Sequence, residues 1–213
     1  MSATVADTAR RLAPHARGTW QRMLSGRRLN LVEPSPLDIE IEDIALGLAR
    51  NARWNGQTRG PHAWSIAQHS DLVVEIVRRM KPRASAKLLM AAKLHDASEF
   101  VTHDLITPLK AVVGDVFKHV ETGLMRAIHI RFGLPAVLPA ADRVLIKSAD
   151  RTAAATEAVQ LAGYTEAECR SYLKFKEKPL GRVKLVPVPV AEAERQFLDG
   201  FRRLEQAMRL EAR

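Results

Sequence analysis

The sequence predicts an all-α fold, and three observations carry that expectation. Apolar residues recur at helical spacing in five separate segments, glycine or proline follows most of those segments, and only two short stretches break the pattern. Hydrophobic residues are 46% of 213, enough for one domain with a sizeable core.

In chain order, the first break is "LVEPSPLDIEIED", residues 31–43, which is punctuated by proline, alternates briefly, and predicts an extended stretch. "SIAQHSDLVVEIVRRMKP" then puts Ile66, His69, Val73, Ile76, Val77 and Met80 on one stripe, with Pro82 just beyond. "ASAKLLMAAKLHDASEF" reads as a single helix with Leu88, Ala91, Ala92, His95 and Glu99 on its inner face. "KAVVGDVFKHVETGLMRAIHIRFG" aligns Val113, Val116, Phe117, Val120, Leu124, Ala127 and Ile128 and stops at Gly133. "ADRVLIKSADRTAAATEAVQLAG" groups Ile146, Ala149, Asp150 and Ala153 and ends at Gly163. The second break, "LKFKEKPLGRVKLVPVPV", predicts a short hairpin around Pro179-Leu180-Gly181. A last helix, about residues 190–212, carries Phe197, Phe201, Leu204 and Met208. Residues 1–35 read as a basic arm and residues 36–213 as one helical domain, with no internal repeat or low-complexity linker.

Composition narrows the function. No apolar run approaches the roughly 18 residues of a membrane span. The start lacks the apolar core of a secretory signal; it is Arg-rich and acid-poor like a transit peptide, but reads better as a solvated arm. One cysteine, Cys169, leaves no internal disulfide and fits a reducing cytoplasm. The net charge is +9, and residues 1–30 hold six arginines against the single acid Asp7. That charge favours anionic partners. With aromatics at 5% and no DNA- or RNA-reading motif, a small anionic molecule is expected, not nucleic acid.

Four ionisable residues, His69, His95, Glu99 and Asp150, sit on the apolar stripes of three predicted helices. Burying such groups is expensive unless they are paired or bind a metal. A lone histidine on an apolar face is ordinarily a satisfied core group; four together are harder to explain that way. Asp96, next to His95, can reach the same space. Imidazoles with carboxylates suit one divalent Mn, Fe, Co, Ni or Zn ion better than Mg. Such an ion lowers the proton affinity of a water and makes it a nucleophile. Glu99, one turn after His95, could then serve as the general acid/base. A second His-Asp pair, His103-Asp104, follows the expected helix end and predicts residues at the mouth of the site. His119 and His129 are expected at the surface, and His15 and His62 carry no placement signal.

The order His69, His95-Asp96, Asp150 resembles the HD-domain metal-dependent phosphohydrolases. "HDASEFVTHDLITPLK" is similar to one branch, the bacterial 5′-deoxynucleotidases of the YfbR type, and "ARWNG", "QHS" and "KSAD" resemble its other blocks in order. The likeness covers roughly residues 45–155 and includes Glu99, Asp104, Thr107-Pro108 and Lys110. It implies a single all-α HD-domain bundle, one metal held by His69, His95, Asp96 and Asp150, and hydrolysis of a nucleotide phosphomonoester. By position it implies that Glu99 assists the attacking water and Arg53 holds the phosphate. It implies too that Trp54 packs near the sugar, where crowding at the 2′ position would favour deoxyribose, and that Asp104 and Lys110 lie in the substrate site. Hydrolysis of another phosphorylated metabolite or signalling nucleotide, and a non-catalytic nucleotide-binding module, stay open, as does a homodimer.

Overall fold

The computed structural model describes residues 19–105 and 112–213. The fold is all-α with one small hairpin. That hairpin comes first: β1 (Trp20–Arg22) and β2 (Arg28–Asn30) pair antiparallel, Gln21 opposite Leu29. Leu29 and Met23 are buried in the common core, so the basic arm expected over residues 1–35 is already folded onto the body within its described part. The "LVEPSPLDIEIED" stretch forms no strand; Ser35, Ile39 and Glu40 are extended, but each flanks a helical turn. Pro36–Asp38 forms a 3-10 turn capped by Ser35, and α1 (Ile41–Arg50) begins at once. Glu42 and Asp43 stand in its first turn, where backbone N–H groups favour negative charge, so the short alternation belongs to a helix start.

The next helix, α2 (Ile66–Met80), is the axle of the fold. Ser65 caps it by accepting from the Gln68 N–H. It packs against α1, α3 (Ala86–Lys93), α6 (Ala140–Gln160) and α8 (Val190–Glu211). Burial on so many sides is why its sequence is apolar well beyond one stripe. Met80, expected on the inner stripe, is 42% exposed because the last turn runs past its neighbours. A fully buried Lys93 pairs with Asp71 and lies 3.9 Å over the Phe197 ring, tying α3 to α2 and α8.

Two further expectations change. The helix expected through His95 to Glu99 stops at Lys93; residues 94–98 form a tight turn and α4 (Glu99–Thr102) follows. The hairpin expected at Pro179-Leu180-Gly181 does not form. Its backbone is stitched to the helices by side chains instead: Gln160 bonds Val183 and Leu185, Gln68 bonds Val186 and Val188, and Thr156 accepts from Leu180. Between these lie α5 (Asp115–Arg131), which rests on the Pro36–Asp38 turn, and the short α7 (Glu166–Ser171), opened by a Thr165–Glu168 capping box. Among the described residues no helix is long and apolar enough to cross a membrane.

Candidate metal centre

Two elements meet α2 at one point. That helix presents His69, the turn after α3 presents His95 and Asp96, and α6 presents Asp150. One donor atom from each lies within 4.8 Å of all the others. His69 Nε2 is 3.3 Å from His95 Nε2 and 3.3 Å from Asp150 Oδ1, and His95 Nε2 is 3.1 Å from Asp96 Oδ2. His69 is fully buried, while the Asp96 and Asp150 side chains keep 22% and 13% exposure. The turn at residues 94–98 explains how adjacent residues share one site. In a straight α-helix their side chains would diverge by about 100°.

The outer hydrogen bonds decide what the inner atoms are. His95 Nδ1 donates to the Ala92 carbonyl at 2.9 Å, and His69 Nδ1 donates to Glu157 Oε1 at 2.6 Å. Neither acceptor can donate in return, so with neutral rings both Nε2 atoms turn a lone pair inward. Two lone pairs and two carboxylate oxygens thus converge, and only positive charge between them satisfies all four. This donor set fits a metal ion, and the group can hold one. The surrounding charges likewise favour positive charge in this space. Burial, with help from Arg53, would depress the His69 imidazole, but Glu157, Asp150 and Asp96 outweigh both and raise it well above its ordinary range. Burial would raise the Asp96 and Asp150 carboxyls, yet the facing histidines hold both below the usual range.

Glu157 was not singled out in the sequence, although it lies seven residues after Asp150 and so on the same face of α6. It is fully buried. Its second oxygen accepts from Trp54 Nε1 at 3.0 Å and Arg53 Nε at 3.3 Å, and Arg53 Nη1 reaches Asp104 at 3.0 Å. Burial would raise its carboxyl, but His69 and Arg53 bring it down to about 2. Trp54 and Asn55 both adopt left-handed backbone, φ 57° and 50°, which is uncommon for a bulky residue. That kink lets consecutive side chains, Arg53 and Trp54, reach the same carboxylate.

On the other side the centre opens into a groove of about 350 Å³. It starts at His95 and Asp96 and runs between α5 and the loop leading into α6. His129, expected at the surface, is instead only 6% exposed and lines this groove, because α5 turns it toward the metal ligands.

No protein-family model matches the chain. Over 177 residues, 82% of this chain and 90% of the relative, it is 50% identical to the uncharacterized protein RCAP_rcc00048 of Rhodobacter capsulatus. The chain belongs to that protein's family. A match of this length in a 213-residue chain spans the stretch from Arg53 to Glu157. The uncharacterized protein YfdR of Escherichia coli is 30% identical over 136 residues, 64% of this chain and 68% of its own length.

The remaining predicted residues divide clearly. Glu99, 4% exposed, opens α4 and lines the groove beside His95 and Asp96. Its carbonyl accepts from Asn51 Nδ2, and Gly47 lets α1 approach Phe100 so closely that a Cβ there would sit 2.7 Å from the Phe100 backbone. Asp104 is spent on Arg53, and its neighbour His103 is exposed. Lys110, with Thr107-Pro108, lies outside the described residues.

Proposed function

We propose that the chain is a metal-dependent phosphohydrolase that removes the phosphate of a (deoxy)nucleoside 5′-monophosphate. One divalent ion of the Mn, Fe, Co, Ni or Zn class is held by His69, His95, Asp96 and Asp150. The observation that carries this reading is the convergence of two imidazole lone pairs and two carboxylate oxygens at the end of an open groove. Mg, which prefers an all-oxygen shell, fits two nitrogen donors poorly.

Bound there, the ion supplies Lewis acidity, offsetting charge on a phosphoryl oxygen and easing the deprotonation of a water. The chain's residues do the rest. Glu157 and the Ala92 carbonyl fix both histidines in the tautomer that turns Nε2 inward. Glu99, on the groove wall next to two ligands, takes the proton of the attacking water. Arg53 lies in the field of Glu157, Asp104, Asp96 and Asp150 and offsets their repulsion of a phosphate dianion.

Phosphate release from nucleoside mono-, di- and triphosphates tests the reading, using chelated protein reloaded in turn with Mn, Co, Ni, Zn and Mg. Release from monophosphates is expected with a transition metal. Asp150→Ala should lose the metal and the activity together. Glu99→Ala should keep the metal and lose about 10²–10⁴-fold in turnover. Cleavage only of di- or triphosphates would move the chain to another phosphohydrolase class. Metal-loaded protein that binds nucleotide and releases no phosphate would make it a binding module.

A further inference from the structure

The phosphohydrolase reading leaves open where the rest of the substrate lies. A phosphate at the ligand cluster needs space beyond it for its leaving group. On the Glu157 side Arg53, Trp54 and Asp104 are hydrogen-bonded to one another and to Glu157 in one block. The groove on the opposite side starts at the ligands themselves and has room for a nucleoside-sized group.

Its chemistry is specific. Met125 and Leu138 give it apolar walls. Deep within it lies the buried ring of His129, whose nitrogens meet only the Pro135 and Ala136 carbonyls, and those too poorly aligned to make full hydrogen bonds. Buried polar groups are nearly always well paired, so a weakly held ring beside open space is free to turn toward a ligand. Burial lowers this imidazole's pKa despite those carbonyls, and the neutral ring offers one N–H and one lone pair. A phosphate dianion, which only accepts, uses half of that offer. The edge of a heterocycle or a sugar hydroxyl uses both. At the rim, Arg126 and Arg143 form no ion pair with any described residue.

We propose that this groove holds the leaving nucleoside of the substrate and that His129 selects it by hydrogen bonding, a proposal that rests on the phosphohydrolase reading above. Trp54, on the far side of the ligands, is then a positioning residue acting through Glu157 and not the wall against the sugar.

The test uses metal-loaded full-length protein, nucleoside monophosphates, p-nitrophenyl phosphate as an ester with a small activated leaving group, and the free nucleosides as ligands in calorimetry. His129→Leu removes both polar atoms. Val137→Trp, at a position 64% exposed on the groove edge, fills the space with little demand on folding. Each variant is expected to raise the KM for nucleotides by about tenfold, the scale of one lost hydrogen bond, and to weaken nucleoside binding equally. Metal content should not change, and Val137→Trp should still cleave p-nitrophenyl phosphate. Unchanged nucleotide KM and nucleoside binding in both variants, with phosphatase activity intact, would overturn the groove assignment and leave the function standing. If the native protein cleaves no phosphoester, the function fails, and the calorimetry of the same variants still decides the groove.

Discussion

The two sides of the metal centre are built on opposite terms, and α6 displays both. Asp150 stands midway along one face of that helix, with Glu157 two turns toward the C-terminus and Arg143 two turns toward the N-terminus, each about 10 Å away along the axis. Toward Glu157 the charged groups are committed to one another: the carboxylate takes His69, Arg53 and Trp54, and Arg53 takes Asp104. Toward Arg143 only Lys147 is engaged, on the second oxygen of Asp150, while His129 meets only two poorly aligned carbonyls and two arginines form no ion pair with any described residue. Satisfied and buried polar groups set geometry. Weakly held ones beside open space are left for a ligand.

The largest expected effect lies on the closed side. Glu157→Ala leaves the Arg53 guanidinium short of a partner and the buried His69 N–H with none. Breaking a buried charge network in this way destabilises a fold by about 3–5 kcal/mol. Loss of the carboxylate that orients a ligand histidine should also weaken metal binding by about 10–100-fold. Chemical denaturation and metal titration read the two effects separately. A variant that keeps native stability and affinity would show that this block is not the scaffold of the centre.

Trp54→Phe is the milder cut into the same block. It keeps the ring that packs at 5.9 Å from Tyr164 and removes only the donor to Glu157. A hydrogen bond to a charged group is worth about 1.5–3 kcal/mol, and Arg53 still holds the same oxygen, so the lower end is expected. If Trp54 touched the sugar instead, stability would barely change and the ratio of deoxyribose to ribose turnover would shift. Measuring both on one preparation separates the roles.

How much of this was legible follows from the same physics. Helical periodicity carried the fold, and ionisable residues on apolar stripes carried His69, His95, Glu99 and Asp150, because burial leaves that mark in sequence. The turn at residues 94–98 left none: "KLHDASEF" satisfies a helical pattern, and the break reflects close packing of α4 on Gly47 of α1. Glu157 shares its face with Asp150, yet among the alanines of "AAATEAVQ" a glutamate reads as an ordinary helix former. His129 sits at the margin of its stripe, and its burial comes from the loop into α6, a contact between segments that periodicity does not encode. The small hairpin was expected in the wrong place, since Gln68 and Gln160 take up the hydrogen bonds a second strand would have used.

The smallest expected effect belongs to the open rim. Arg143 and Arg126 are exposed and engage no described partner, so replacing either by alanine removes no interaction on which folding depends. Unfolding midpoints and metal content should match the native protein. Capture of an anionic substrate should not. An exposed charge pair is worth about 0.2–1 kcal/mol, which corresponds to roughly a 1.4- to fivefold rise in KM for each arginine. Because the pair is solvated, salt screens it: the difference between variant and native should shrink as ionic strength rises and the Debye length falls to about 3 Å at 1 M. The His129→Leu defect, made of a buried hydrogen bond, should persist at high salt. Rim variants whose KM follows the native value at every ionic strength would confine recognition to the groove interior. Rim variants that also lose stability would mean that the open side is as structural as the closed one, and the contrast drawn along α6 would fail.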